Sequence, residues 1–591
     1  MPVPYKDSVR AGKHLLYCAV VLAGSGTAQI AIAQTLPDAG QLLNEHQQTR
    51  PSEPGSTQPP AAFELPSGTN GSATNSGLRV QLKAIRFSGD TELAGAENLT
   101  ELTKPVLGKT LDHAGLQQLV ESLTRYLRGR GYVLARAYLP RQDLTDGELE
   151  IALVKGRLQS DASRVEVNSD TRSSPERLRR IAEAALPENK VLRAEDLERA
   201  LLLINDQPGV SAQSALDMGS EPGTSRLLIN ARKGPLVSGN LSADNYGNRS
   251  TGTARANAQV SLNDPLGIGD QLSIGLSKST GTDIVGASYS LPLNASGLRL
   301  NAAGSYLRYE VDQEQFRPLD LRGNARSGSL GLSYPVIRSR LQNLNLSATY
   351  EYKALEDEAI GINLRDRELN NVILAMSGNR FDSLGGGGVT DAMLALTMGE
   401  LDLSGNRDDQ FADRVSAGSD GSFNKLNLRV SRLQSLGASS PWTLFGGVSA
   451  QWASDNLDSS EKFLLGGPAG VRAYPVGEAS GDQGWLATLE LRRNIALNLP
   501  GVVLQGLGFV DTGRIWLHQD TWPGSINNAG DTNRYDLHAV GVGANLWAGN
   551  FSVRTAVART LDNNPGRSSS GLDADSRASD WRAWVQASYA F

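Results

Sequence analysis

From about residue 236 to the end of the chain, apolar and polar side chains take turns. In Leu344-Asn345-Leu346-Ser347-Ala348-Thr349-Tyr350-Glu351-Tyr352 every second residue is apolar and those between are polar or charged. The same alternation sets Leu426, Leu428 and Val430 against Lys425, Asn427 and Arg429, and Trp485, Ala487, Leu489 and Leu491 against Thr488, Glu490 and Arg492. It recurs at Leu272, Ile274 and Leu276. Successive side chains of a strand point to opposite faces, so these are strands with one oily and one wet face.

Period alone fits a soluble β-sandwich as well as a membrane barrel. About sixteen such segments occur, most with about ten residues of clear alternation, the length a tilted strand needs to cross a bilayer. Connections alternate between very short ones, around 263–267, 294–297, 498–501 and 547–550, and mostly longer polar ones, roughly 401–418, 454–482, 518–536 and 561–579. Short turns on one side and long loops on the other are the outer-membrane pattern. The last segment places Trp581, Ala583, Val585, Ala587, Tyr589 and Phe591 on one face, with Arg582, Gln586 and Ser588 on the other.

Ahead of this region the period changes. Leu116, Leu119, Val120, Leu123, Tyr126 and Leu127 form one helical stripe that stops at Gly129 and Gly131. Tyr132 to Leu139 then reads as a strand, joined through 143–147 to a second strand, Glu148 to Val154. The order strand, helix, helix, strand, strand spans 78–158. It repeats from about Ser163 to Lys233, with helices carrying Leu178, Ile181 and Ala182, then Leu197, Ala200, Leu201 and Ile204, and a last strand at Ser225–Ala231. Residues 34–50 contain a short polar helix with little apolar face, and 51–77, rich in Pro, Ser, Gly and Asn, form a flexible linker. A polar helix on a tether is suited to occupying a water-filled lumen and leaving it.

Lys6, Arg10 and Lys13, the mostly apolar run Leu15–Ala23 and Ala31-Ile32-Ala33 read as a secretory signal, residues 1–33, cut after Ala33. The one cysteine, Cys18, falls inside it, so the mature chain has no thiol chemistry. Removing three basic residues and Asp7 takes the formal charge from −6 to about −8, which gives no basic case for nucleic acid. Past the signal no apolar stretch is long enough for a membrane helix, so any crossing is by strands. No catalytic or metal-binding constellation stands out. The five histidines (His14, His46, His113, His518, His538) lack metal-ligand spacing, and neither a Gly-x-Ser-x-Gly elbow nor a phosphate-binding loop is present. An enzyme is therefore not expected, and neither a metal nor a cofactor.

Two further segments are Gly470-Val471-Arg472-Ala473-Tyr474-Pro475, in the long connection between the eleventh and twelfth segments, and Phe509-Val510-Asp511-Thr512-Gly513 on the thirteenth. With the two modules and the barrel, the chain resembles the two-partner secretion transporters of Gram-negative bacteria, a branch of the Omp85 superfamily. Gly131-Tyr132-Val133-Leu134-Ala135-Arg136-Ala137-Tyr138-Leu139-Pro140 is similar to the family's first POTRA domain, and Asp244-Asn245-Tyr246-Gly247 to the start of its barrel.

The resemblance implies an N-terminal plug helix (34–50), POTRA domains at 78–158 and 159–234, and a sixteen-stranded antiparallel transmembrane barrel at 235–591. It implies a monomer in the outer membrane, with POTRA domains in the periplasm. The function implied is export of a secreted partner exoprotein, an adhesin or haemolysin, without ATP and with activation of the partner as a further role. Barrel-assembly machinery and periplasmic chaperones are the implied partners in biogenesis, for which Tyr589 and Phe591 would be the insertion signal. The family's loop motif is usually Val-Arg-Gly-Tyr; here it is Val471-Arg472-Ala473-Tyr474. Its barrel partner, Phe-x-Asp-x-Gly, is intact as Phe509, Asp511 and Gly513. Arg472 is expected to lock the loop to Asp511, with Gly513 leaving room and Ala473 altering the turn. The alternatives are an Omp85-type assembly factor and a diffusion porin or adhesin.

Overall fold

The computed structural model describes residues 37–47, 79–186, 191–220 and 224–591. The expected signal peptide 1–33 and linker 51–77 lie outside the described residues, as do both ends of the expected helix 34–50. What is described of that helix is α1 (Ala39–Gln47).

The first module contains β1 (Arg79–Gln81), β2 (Ala84–Gly89), α2 (Ala96–Thr103), β3 (Thr110–Asp112), α3 (His113–Gly129), β4 (Arg136–Tyr138) and β5 (Glu148–Val154). The expected order holds, with β1 and β3 added as a small antiparallel pair beside the sheet β2-β5-β4. Asp112 caps α3 by accepting from Gly115 N at 2.8 Å, and Leu116, Leu119, Leu123 and Leu127 bury its stripe. The expected strand Tyr132–Leu139 is shorter than its alternation suggested. Only Arg136–Tyr138 pairs with β5, while Val133 and Leu134 pack into the core of the second module. Two apolar residues in a row find more to bury against next door than a strand edge offers.

The second module comprises β6 (Arg157–Leu158), β7 (Val165–Ser169), α4 (Pro175–Ala185), α5 (Ala194–Asn205), β8 (Val210–Met218) and β9 (Thr224–Lys233). Arg157 and Leu158, which the expected boundary 78–158 placed in the first module, pair with Thr224 and Ser225, so the second module's sheet begins before residue 159. The helices bury Leu178, Ile181, Leu197, Leu201 and Ile204 against it. Polar contacts pin this module to the barrel's short turns. Arg172 donates to the carbonyls of Asn263 and Asp264 at 2.7 and 3.0 Å, Ser173 Oγ to Asp264 at 3.0 Å, and Arg338 is paired with Asp206 at 2.6 Å.

The barrel runs in sequence order through β10 (Val237–Asp244), β11 (Arg255–Asn263), β12 (Gln271–Lys278), β13 (Thr282–Pro292), β14 (Arg299–Glu310), β15 (Arg322–Arg338), β16 (Gln342–Ala359), β17 (Ile362–Asp382), β18 (Gly388–Asp402), β19 (Gly421–Ser435) and β20 (Trp442–Ala453). A hairpin, β21 (Phe463–Leu464) and β22 (Ser480–Gly481), interrupts it. The barrel resumes with β23 (Gln483–Ile495), β24 (Val502–Trp516), β25 (Arg534–Ala548), β26 (Phe551–Thr560) and β27 (Trp581–Ala590), and β27 pairs with β10 to close sixteen strands. Leu241, Ile274, Leu330, Leu374, Leu489, Val510 and Val542 all stand exposed on the outer wall. So continuous an apolar surface faces lipid, and the closed ladder leaves no backbone edge unpaired within it. Among the described residues no helix is long and apolar enough to cross a membrane. The turns 264–270, 293–298, 496–501 and 549–550 lie on the POTRA side, and the long loops on the other.

Inside the lumen, α1 lies against the wall of β14–β17. Its face is more apolar than its composition suggested: Ala39, Leu42 and Leu43 are buried against Leu307, Ala325, Leu355 and Leu369. A nine-residue helix is marginal alone, and burying two leucines at about 1.5–3 kcal/mol each is what orders it. Asp38 accepts from Gln41 N at 2.8 Å at the helix start and pairs with Arg365 at 2.8 Å and Arg367 at 3.4 Å, while Ala39 N donates to Asp357 at 2.8 Å. Burial raises the Asp38 pKa, but Arg367 and Arg365 outweigh it and hold the carboxyl below its ordinary value. At the other end Glu45 accepts from Gln41 at 2.7 Å and from Asn248 at 3.2 Å. Burial pushes Glu45 from 4.5 up to about 7, against those hydrogen bonds and the charge of Arg255, with Asp575 adding to the rise.

A raised pKa in the docked state favours docking fully below the ordinary value of 4.5, and the gain is lost as pH rises through about 7. Asp38 works oppositely and at lower pH, and burial depresses the neighbouring His46 from 6.5. In planar bilayers the purified protein is expected to open more often at pH 8 than at pH 6.5, and Glu45→Gln to flatten that difference. An unchanged slope in Glu45→Gln would remove Glu45 from the account.

Candidate functional site

The connection between β20 and β23 turns inward from the far side of the barrel. Its descending limb carries Leu457 and Glu461 into the lumen. The β21–β22 hairpin then narrows it, and residues 465–479 form the tip. The tip is wound tightly: Val471 N donates to Leu465 O at 2.8 Å, and a Cβ added at Gly470 would lie 2.0 Å from that same carbonyl. Only glycine fits at position 470.

Arg472 stands at this tip and is 2% exposed; Asp511, on β24, is 0% exposed. Arg472 Nε and Nη2 donate to the two Asp511 oxygens at 2.8 and 2.7 Å, and its backbone N reaches Oδ2 at 3.1 Å. This is the planar fork that a guanidinium offers and an ammonium does not. The third arm, Nη1, donates to Glu490 on β23 at 2.6 Å, and Glu490 in turn accepts from Arg492 at 2.6 and 2.8 Å. Thr488 Oγ1 donates to Asp511 at 2.6 Å and accepts from Arg472 at 3.1 Å. Two cations and two anions alternate, so none of these four charges is left uncompensated. Burial works against the Arg472 charge, but Asp511 and Glu490 outweigh it and its pKa rises.

Aromatic rings enclose the guanidinium. Arg472 Cζ lies 3.3 Å from the Phe509 ring centre and Arg492 Cζ 4.5 Å from that of Phe445. Trp584 Nε1 donates to Arg472 O at 2.7 Å, and Tyr246 meets the Trp584 ring edge-on at 5.9 Å. Val471, Ala473 and Tyr474 are buried in one apolar cluster with Phe509, Leu486 and Leu537. Ala473 is not among the residues with positive φ, so alanine sits in this turn without the strain that glycine would be needed to relieve. At Gly513 a Cβ would approach Leu465 Cδ1 to 2.4 Å and Trp485 O to 2.6 Å. Tyr589 and Phe591 lie elsewhere, stacked at 6.4 Å on the outer face, and the Phe591 backbone is bonded to Gly239 at 2.9 and 3.0 Å.

The loop has further anchors that no motif marks. Glu461 is clasped by Lys353 at 2.7 Å and Lys425 at 2.5 Å, and Asn371 donates to it at 3.0 Å. Asp458 meets Arg367 at 2.6 Å, the arginine that also holds Asp357 at 2.6 Å and reaches Asp38 of the helix. Ser459 Oγ donates to Asp38 at 2.7 Å, and Asn44 donates to the carbonyls of Ser459 and Lys462 at 3.2 and 2.8 Å. Helix and loop are thus one assembly. Gly40 permits their approach, since a Cβ there would lie 2.4 Å from Ser459 Oγ. Sequence reasoning had placed Glu490, Thr488 and Arg492 only on a polar strand face. Their alternation names the face, but only the barrel's register brings them under the loop tip.

Glu478, on the ascending limb, is tied to the surface loop between β26 and β27 by Asn564 and by Ala574 N at 2.7 Å. Gly513→Val is expected to push Leu465 away and loosen the tip, read as faster protease cleavage within 465–479 while the barrel keeps its heat-resistant migration. Unchanged cleavage would show that the tip tolerates the added bulk.

Comparison with known proteins agrees with this architecture. Residues 80–156 match the ShlB-type POTRA domain. The heme/hemopexin transporter protein HuxB of Haemophilus influenzae Rd is 25% identical over 557 residues, covering 93% of this chain and 96% of its own. The solved structure of CdiB from Escherichia coli superposes with a TM-score of 0.63 at 23% identity, over 94% of this chain and 96% of that one. BamA from Haemophilus ducreyi lacking POTRA domains 1–3 shares the fold at a TM-score of 0.52 and 16% identity, over 86% and 100%. Fold likeness alone does not fix the role; the family match does. Residues 223–540 match the family described as haemolysin secretion/activation protein ShlB/FhaC/HecB, and the chain belongs to that family of outer-membrane transporters, with its POTRA domains in the periplasm.

Proposed function

We propose that this transporter captures an unfolded partner exoprotein on its POTRA domains and passes it through the barrel to the cell surface without ATP. The partner would be a secreted adhesin or haemolysin, and the names of relatives, a haemolysin transporter and a heme/hemopexin transporter, fit a cargo of that kind; activation of a haemolysin-like client is a further role. Capture would use strand edges such as β4, where an extended segment gains backbone hydrogen bonds with little demand on its side chains. The client would then displace α1, and its folding outside would give the passage its direction.

The observation that carries the reading is the four-charge ladder Asp511–Arg472–Glu490–Arg492. It holds the loop at one wall and leaves α1 as the removable part of the lumen's filling. Because α1 leans on Ser459 of the loop and shares the barrel's Arg367 with Asp458 of the loop, its departure would be felt by the loop. As separate roles in biogenesis, Tyr589 and Phe591 would be read by the barrel-assembly machinery, with periplasmic chaperones delivering the chain to outer-membrane lipid as a monomer.

Removing Arg472 leaves two buried carboxylates facing one another across the wall, at a cost of about 3–5 kcal/mol in loop docking. Comparing surface and medium proteins from cells with the intact gene, without it, and with Arg472→Ala tests both function and lock. One large protein lost in both altered strains, with the variant barrel still in the outer membrane, is the expected result. Arg472→Lys should recover only part of the export, because an ammonium cannot bridge Asp511 and Glu490 in one plane. A deletion strain with intact surface proteins but fewer outer-membrane barrels would make the chain an assembly factor. Loss of the Arg472→Ala barrel itself would make the ladder a folding contact.

A further inference from the structure

The lumen wall has two chemically different halves. Across the POTRA-side halves of β10–β17, the inward positions carry serine, asparagine, glutamine, threonine, glycine and a few apolar residues. Above Arg299 at the rim, no described position on this face is charged until Glu351. The opposite half carries Asp391, Arg429, Glu490, Arg492 and Arg554 on its inward face.

The neutral face is built from short side chains that satisfy one another across strands. Ser261 and Ser273 hydroxyls lie 2.8 Å apart and Ser305 and Ser327 2.7 Å, while Ser290 donates to Asn301 at 2.8 Å. Beside it lies a cavity of about 500 Å³, with Ser242, Gln259 and Ser277 on its wall and His46, at the end of α1, at its edge. Farther along the same strands, away from the POTRA side, come Leu307, Ala325, Leu355 and Leu369 with the paired charges Asp357 and Arg367, the seat of α1. The neutral face therefore leads directly to the place that α1 occupies.

We infer that the neutral face of β10–β17 is the track along which an extended, unfolded polypeptide slides, and that it ends at the seat of α1. This rests on the export reading. A moving chain presents every kind of side chain in turn. Fixed charges on the track would hold segments of opposite sign and repel those of like sign, strongly so in a partly dehydrated lumen. Hydroxyl and amide groups act as both donors and acceptors, so they replace the water lost by a passing backbone without selecting a sequence. Their mutual bonds across the strands are neutral and readily exchanged for bonds to the client. The charges that hold the loop lie off this face, Glu490 and Arg492 on the opposite half and Lys353 and Arg367 toward the far ends of β16 and β17.

The test is disulfide capture in cells. The probe is the exported protein that the gene deletion removes from the surface, carrying single cysteines and fused to a small disulfide-closed domain that halts it in passage. Cysteines are placed in the full chain at Ser273 or Ser329 on the neutral face, and at Asn494 or Asn545 on the other. Adducts several-fold more abundant at Ser273→Cys and Ser329→Cys are expected; equal or reversed yields overturn the track.

A second pair guards against variants that merely misfold. Ser288→Asp, between Ser273 and Ala303 on the neutral face, is expected to lower export several-fold with normal barrel level and heat-resistant migration, whereas Asn494→Asp leaves export unchanged. Equal export from both overturns the track. If no surface protein depends on the gene, the export reading fails and the track falls with it; if export stands and the adducts form on the charged half, only the track is wrong.

Discussion

The loop inside this barrel is held by one buried guanidinium. Arg472 is taken almost wholly out of water, and its charge is tolerable only because Asp511 and Glu490 accept three of its donor arms and Arg492 balances the second carboxylate. Everything around the tip serves that geometry. Gly513 clears space for Leu465, Phe509 and Trp584 shield the guanidinium and its carbonyl, and Gly470 lets the tip close on itself. Such a ladder adds little net stability over a well-packed apolar contact, but it is highly specific in register. A loop displaced by one residue would strand charges in the wall.

From that fixed point the rest of the lumen is organised by charge pairs of decreasing burial. Glu461 between Lys353 and Lys425 holds the descending limb, and Arg367 gathers Asp357, Asp458 and Asp38. The helix is thus attached through a shared arginine, scattered hydrogen bonds and two leucines rather than through a buried charge ladder of its own, which suits a part that must leave. Its attachment differs in kind from that of the loop: short, partly apolar, and sensitive at Glu45 to proton concentration near neutrality.

Much of the candidate site was legible because its motif is local. Val471-Arg472-Ala473-Tyr474 and Phe509-Val510-Asp511-Thr512-Gly513 are contiguous, and the resemblance they carry put Arg472 and Asp511 together before any coordinates. Glu490 and Thr488 were read only as a strand's polar face, and Trp584 sits 112 positions from the carbonyl it bonds. Likewise the apolar face of α1 looked too slight to hold a core. Leu42 and Leu43 suffice because the barrel wall presents Leu307, Leu355 and Leu369 at the matching height.

Alternation of period two, turn residues at alternating long and short intervals, and the switch to helical period before residue 236 were enough to decide barrel, strand count and the two leading modules. These are properties of neighbours in the chain, set by where successive side chains point. Which inward residues meet, and so where charges cancel, is decided by the shear of sixteen strands and by a loop folding back through them. Those pairings join residues tens to hundreds of positions apart, and no local period records them. For the same reason the chain shows at once that the lumen is polar, but only the closed barrel shows which stretch of its wall is left without charge.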